Sequence, residues 1–450
     1  MLGRGYPSSL SHPTYGASFL EAGANRCLDA FIVVVNQAGE GEEKYWYTST
    51  LELQLASLGV CKACRSVPTL RVRVDKRTPR RLWASSVRDR TAPEATSSSA
   101  SSRVPLVRAF GLTWTLSADA IQEVSSTPTV LSFGRRFNEP ILGVGWPASL
   151  LDIEFGDYFD QPIVGVVWPP SLQQLSFGWS FNQPVVGVVW PASLQQLSFG
   201  NDFNQPILGV VWPNSLQQLS FGEYFNQPIL AVVWPASLQQ LSFVQDFNQP
   251  ILGVVWPVSL RQLSFAEDFD QPIVGVAWPA FLRQLSFGHY FDQPIVEVVW
   301  PNSLQQLSLG GIFNHAIEGV VWPPSLQQLS FGRDFNQPIE GVVWPPSLQQ
   351  LSFGRRFNQP IVGVVWPAFL RQLSFGDCFD QPIVEVVWPP SLQQLSFGRD
   401  FNQPILGVVW PASLQQLSFG KEFDQPMVGI VWPAPLQTVR MAFSVVYVRS

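Results

Sequence analysis

Phenylalanine recurs at every twenty-second position from Phe137 to Phe423, fourteen times, without one inserted or deleted residue. Tryptophan keeps step nine residues behind it, from Trp146 to Trp432. A fixed period of this length constrains the chain more than any composition does. One unit is too short to enclose a core by itself, so each must bury its apolar face against its neighbours. The reading is a β-rich solenoid over residues 127–437. With thirteen spacings of about 4.8 Å it forms one elongated body about 60 Å long.

The letters of one unit assign themselves to sides. In Leu172-Gln-Gln-Leu175-Ser-Phe177 the alternation puts Leu175 and Phe177 on one face and Gln174 and Ser176 on the other, a short half-buried strand ended by Gly178. Phe181 then returns to the core. Pro184 and Pro191 bracket VVGVVW, a β-branched run between two residues that a helix interior excludes. No unit offers the ten or more uninterrupted positions of an ordinary helix. The expectation is one short parallel strand per turn with an extended or turn-rich return side. Stacking sets Trp near Trp and Phe near Phe, so a change of size in one unit opens a void against two neighbours.

The residue after each Phe is Asn in nine units and Asp in five (Asp160, Asp270, Asp292, Asp380, Asp424). The two share an acceptor oxygen but not the amide donor. The expected role is therefore acceptance of backbone N–H groups at a tight bend, as in an Asx-turn. A row of calcium ligands would need several oxygens per ion, and one replaceable acid per turn does not supply them.

The pattern LxxLxFGxxFNxPIxxxxWPxSL, as in Leu194–Leu216, resembles the FNIP repeat, a 22-residue relative of leucine-rich repeats. The resemblance runs over roughly residues 127–440. In every unit Trp stands where the usual motif has Leu before its Pro, which exchanges an aliphatic ladder for an aromatic one. His315-Ala316 departs from the motif's Pro, and a looser bend is expected there. The resemblance implies a leucine-rich-repeat-like binding solenoid, with no enzyme activity and no named partner. Some relatives join such repeats to an F-box, and residues 1–110 show no convincing F-box pattern.

Outside the repeats, residues 1–83 read as an irregular or small β-rich leader, with alternation in 50–58 and 69–77. Residues 84–126 are a Ser-rich linker and the approach to the repeats, and 438–450 are the candidate C-terminal cap. The start has no compact apolar segment of the signal-peptide type, and 29–35 is too short to span a bilayer, so a cytoplasmic protein without membrane partners is expected. Residues 1–110 carry 15 Lys/Arg against 9 Asp/Glu, while the remainder carries 12 against 24. A body that acidic, with no basic stripe, is unsuited to gripping phosphate backbones, which argues against nucleic acid.

No catalytic, cofactor or metal site is expected. Cys61-Lys-Ala-Cys64 is a lone CxxC whose nearest spare cysteine is Cys27, so a structural reading is preferred to a zinc or redox one. His289 and His315 lie in different units with no nucleophile repeated near them. The variable letters are the pair between each Gly and Phe. Their Tyr, Trp and Arg content suits an interface. Tyr158, Trp179, Tyr224, Tyr290, Arg333, Arg355, Arg356 and Arg399 form the candidate partner-binding ridge. A protein partner is expected, making the chain a scaffold or recognition solenoid. The alternatives are a glycan stacked on the exposed aromatics, or a product of repeat expansion with no selected partner.

Overall fold

The computed structural model describes residues 129–265 and 267–441, together with the backbone of five further strands at 31–33, 71–74, 105–109, 112–115 and 444–448. The described residues contain no helix. Each repeat contributes one strand of three or four residues, from β5 (Val130–Phe133) and β6 (Asp152–Glu154) through to β18 (Gln416–Phe419) and β19 (Thr438–Met441). Neighbouring strands pair in parallel with like letter over like letter, Gln306 on Gln328, Leu307 on Leu329 and Ser308 on Ser330. The sequence is therefore a parallel β-solenoid of about fourteen turns, as its period requires.

The sheet runs beyond the repeats at both ends. On the N-terminal side β2 (Arg71–Val74) pairs in parallel with β5, and β1 (Phe31–Val33) with β2. At the other end β20 (Ser444–Val448) folds back antiparallel on β19. A separate hairpin joins β3 (Pro105–Ala109) to β4 (Leu112–Thr115). The strand expected in 69–77 is β2, whereas 50–58 and Cys27, Cys61 and Cys64 lie outside the described residues.

Three two-residue turns divide each coil into three sides. In one unit they fall at Trp179–Ser180, Val186–Gly187 and Ala192–Ser193. They separate the strand side, the Phe181–Val185 side and the short Val188–Pro191 side. Burial follows the alternation: Leu194, Leu197, Phe199, Phe181, Val185, Val188 and Trp190 are all inside, while Gln196 and Ser198 are only partly covered. The turn at 186–187 places Gly187 at φ 87° and closes with the Val188 N–H donating to the Val185 carbonyl at 3.2 Å. Only glycine takes that conformation without strain. Ala231 holds it at φ 66°, whereas Glu297 and Glu385, at the same repeat position, keep the hydrogen bond without a left-handed residue.

Spacing within the core shows the coil to be curved. Phe rings next to the strands stack 4.9–5.8 Å apart, as in Phe133–Phe155, Phe221–Phe243 and Phe243–Phe265. The inner Phe column stacks at 5.9–6.3 Å, as in Phe137–Phe159 and Phe291–Phe313, and the Trp column reaches 6.5 Å at Trp234–Trp256. The strands themselves are held at about 4.8 Å by their hydrogen bonds. Layers that widen away from the sheet bend the stack with its strands on the inside. The elongated body expected from the period is thus an arc.

The Trp column has a cost. Thirteen indole N–H groups, Trp146 to Trp410, are buried without an acceptor. Each such donor costs about 1–3 kcal/mol. Burying 150–250 Å² of indole returns on the order of 4–6 kcal/mol, so the aromatic ladder still wins.

The strain at Ala231 gives a test. A left-handed non-glycine residue costs about 1–2 kcal/mol, and glycine recovers it less its own chain entropy. Ala231→Gly should stabilise the chain by roughly 0.5–1 kcal/mol, read as a rise in the midpoint of denaturant unfolding, even though it deletes a methyl group.

Candidate functional site

The Asn/Asp position serves stability, by a route different from the one expected. Each Oδ1 accepts the backbone N–H of the equivalent residue one turn later, from Asn138 to Asp160 at 2.9 Å through to Asn402 to Asp424 at 3.0 Å. The same oxygen also accepts the side-chain amide of the next turn's Gln, as Asn336 does from Gln359 at 3.1 Å. The bond is not a local Asx-turn, because its partner lies 22 residues away. The acceptor role explains the free exchange of Asn and Asp. The bend at His315 is not loosened either: its Nε2 lies 2.8 Å from the Asp292 carbonyl, where other units place the Gln amide, and Asn314 N–H still donates to Asp292 Oδ1 at 3.0 Å. Among the described residues no group of three or more His, Cys, Asp or Glu could hold a metal ion.

The variable pairs stand at the first turn, directly after the strand. They stack through the backbone, with Asp202 N–H donating to the Trp179 carbonyl at 2.8 Å and Tyr224 N–H to the Asn201 carbonyl at 2.9 Å. Tyr158, Trp179, Tyr224 and Tyr290 are 44–51% exposed, so the column presents accessible aromatic side chains.

Its charges are largely paired within and between turns. The patch around Arg333, Arg355 and Arg356 is largely neutralised. Arg333 and Arg356 both reach Asp334, at 2.9 and 3.3 Å, and Arg355 reaches Asp377 at 3.4 Å. Arg399 is paired with Asp400 at 2.8 Å. The hydrogen bond from Arg333 holds the Asp334 carboxyl below its ordinary value. Further along, burial and the neighbouring Asp268 push Asp246 up. Arg135 pairs with Asp157 at 2.7 Å and lies over the Tyr158 ring at 5.7 Å.

The strand face inside the arc forms a groove of about 600 Å³, floored by the outward Gln and Ser side chains from Gln240 to Ser418, with Arg440 at its end. A smaller hollow of about 270 Å³ continues it over Asp152–Ser242. Ser–Ser hydrogen bonds of 2.9–3.0 Å run along part of the floor, as from Ser330 to Ser308 and Ser374 to Ser352. The ridge stands at the turn that follows each strand, at one end of the strand side.

Sequence reasoning missed two sets of exposed residues. Phe281 and Phe369, 61% and 63% exposed, stand beside the strands where other units have Ser. That Ser normally donates to the Leu carbonyl of the preceding turn, as Ser193 does to Leu172 at 2.6 Å, so both units give up a bond to show an aromatic ring. The signal was visible as the departure PAFLRQ from PxSLQQ. The second set is the Val that precedes Trp in twelve units (Gly145 and Ala277 stand there in the other two), part of a β-branched run yet with its side chain facing outward.

Substitution of the ladder acceptor tests its role. Asn336→Ala strands the Asn358 N–H, leaves the Gln359 amide only the Asn336 carbonyl, and should cost about 1–3 kcal/mol. Asn336→Asp keeps the acceptor and should stay within about 0.5 kcal/mol of the parent in the same unfolding assay.

The FNIP Repeat family model matches residues 159–202, 203–246, 313–356 and 357–400, four spans of two units each. Among solved structures the chain is similar to CroV588, described as a circular leucine-rich-repeat protein, with 43% identity and a TM-score of 0.63. That match covers 70% of this chain and 50% of the other, so it spans about half the relative's length. An internalin from Listeria monocytogenes matches at 13% identity and a TM-score of 0.47, over 71% of this chain and 91% of its own. No curated protein sequence matches the chain.

Proposed function

We propose that this FNIP-repeat protein is a non-enzymatic recognition solenoid that holds a protein partner against the strand-face groove and the ridge at the strand ends. The observation that carries the reading is the division of labour on that side. The floor repeats Gln and Ser almost without change, whereas charge and aromatic character vary from turn to turn along the ridge. A uniform amide and hydroxyl floor offers hydrogen bonds at every rung, and selection among partners then falls to the ridge. Aromatic and arginine side chains are the types that dominate interface energies. Because Arg333, Arg355, Arg356 and Arg399 are each engaged by an aspartate, they would act as shaped, charge-balanced contacts rather than as an open basic patch.

No helix among the described residues is long and apolar enough to cross a membrane. The acidic repeats favour neither nucleic acid nor an anionic surface. The terminal hairpin β19–β20 is assigned the capping role, since it covers the last parallel edge. The repeats over 127–437 are the binding body, and 1–83 and 84–126 are its leader and linker. A glycan is the second reading, favoured by Trp179 and Tyr158, which stand half-exposed on adjacent turns.

The quadruple variant Tyr224→Ala, Tyr290→Ala, Arg355→Ala, Arg356→Ala tests the proposal. Partners captured by the parent chain should bind this variant at least tenfold more weakly, about 1.4 kcal/mol. Its unfolding midpoint should barely move, since exposed substitutions usually stay within about 0.5 kcal/mol. Trp366→Ala is the contrasting control and should damage the fold by about 3–5 kcal/mol. Equal binding by the quadruple variant would remove the ridge from the account. Binding on a glycan array that disappears with Trp179→Ala would favour the second reading.

A further inference from the structure

The valines that precede the Trp residues form an exposed apolar column along the array. Twelve of them, from Val167 to Val431, are 78–85% exposed, one per turn, interrupted only by Ala277. The column runs along the short Val188–Pro191 side of the coil and its equivalents. Beside it the turn positions carry half-exposed Val or Leu, as at Leu208, Leu230 and Leu252, and on the other side mostly Ala or Pro. No Lys or Arg enters this band, and its acids are confined to the turn edge at Glu297, Glu318, Glu340 and Glu385.

The three-sided coil places this band on a flank. The strand side is the inside of the arc, so the turn opposite it, at Val186–Gly187 and its equivalents, is the outer rim. The remaining two sides are flanks, which neither close around the groove nor bulge away from it. They differ sharply. The Phe181–Val185 flank carries the Asn/Asp and Gln hydrogen-bond ladder, whereas the other shows water a column of valine.

We propose that the valine flank is a homodimer interface, on which two copies of this chain pack flank to flank about a twofold axis. Area is the first argument. At on the order of 100 Å² of apolar surface per exposed valine, the column alone presents about 1,000 Å² on each copy. A stable interface of standard size needs about 800 Å² per partner, and monomers seldom leave a patch beyond about 600 Å² uncovered. Pitch is the second. The valines stand one turn apart along the whole array, and a second copy brings the same spacing, so rows can interdigitate over many rungs. A surface of different periodicity would match only a few. A flank, unlike the outer rim, also allows contact along the length of the arc. The two grooves stay open in such a dimer, which would present two binding faces to one target.

Sedimentation of the full chain tests this. The parent should be a dimer at about 50 µM, while the pair Val255→Glu, Val343→Glu should weaken association by at least a hundredfold. Circular dichroism should be unchanged, because both side chains lie outside the core of each copy, while the thermal midpoint should fall by no more than the stability that association adds. The near-isosteric pair Val255→Thr, Val343→Thr should weaken the dimer by a smaller factor without any disturbance of the fold. Since the copies share a net negative charge, raising salt from about 0.05 to 0.5 M should tighten the dimer. The ridge variant Tyr224→Ala, Arg355→Ala should dimerise like the parent. A parent chain that is monomeric at that concentration overturns the proposal. So does a dimer that survives the glutamate pair, or one that dissolves in salt.

Discussion

Everything in this molecule depends on each turn lying in register over the one before. Leu sits over Leu in the parallel ladder, and the Asn/Asp oxygen of one turn binds the same position of the next. Neither bond is available to a chain displaced by a single residue. A slip by one would carry every strand leucine outward and every glutamine inward. The faithful copying of the unit is thus a packing requirement at the core letters.

Curvature follows from the same constraint. Backbone hydrogen bonds hold the strands closer together than aromatic rings can stack, so the strand side is short and the Phe and Trp layers are long. The replacement of an aliphatic ladder by tryptophan therefore acts on shape as well as on stability. Wider rings on the far side bend the array and hollow the strand face into a groove. Function is read from what the bend leaves accessible: a uniform polar floor, a varied ridge and an apolar flank.

The period, the strand, the inward Leu and Phe and the aromatic columns were all legible in the sequence, because each depends on the alternation of two or on the repeat of 22. The acceptor role of Asn/Asp was legible from its exchange, but its partner was not. An Asx-turn and a bond to the next turn ask the same chemistry of the side chain, and only the fold says which N–H stands nearest. The pairing of Arg356 with Asp334 and of Arg355 with Asp377 was hidden for a related reason. Residues 22 apart are distant in the chain yet adjacent on the ridge, so charges summed along the sequence misjudge it. The valine column escaped notice since a β-branched residue between two prolines reads as core, and here every second side chain of VVW points to water.

The most direct measurement compares two deletions within the array by denaturant unfolding. Removal of 335–356, one whole unit, rejoins identical letters and leaves thirteen turns in register. It should give a cooperative transition within about 1–2 kcal/mol of the parent. Removal of 335–355, one residue fewer, breaks the period at the junction, cuts the aromatic columns and the Asn/Asp ladder, and should lower stability by several times as much or split the transition in two. Equal stability of the two deletions would contradict the account, because a fold held by in-register stacking cannot be indifferent to a single residue.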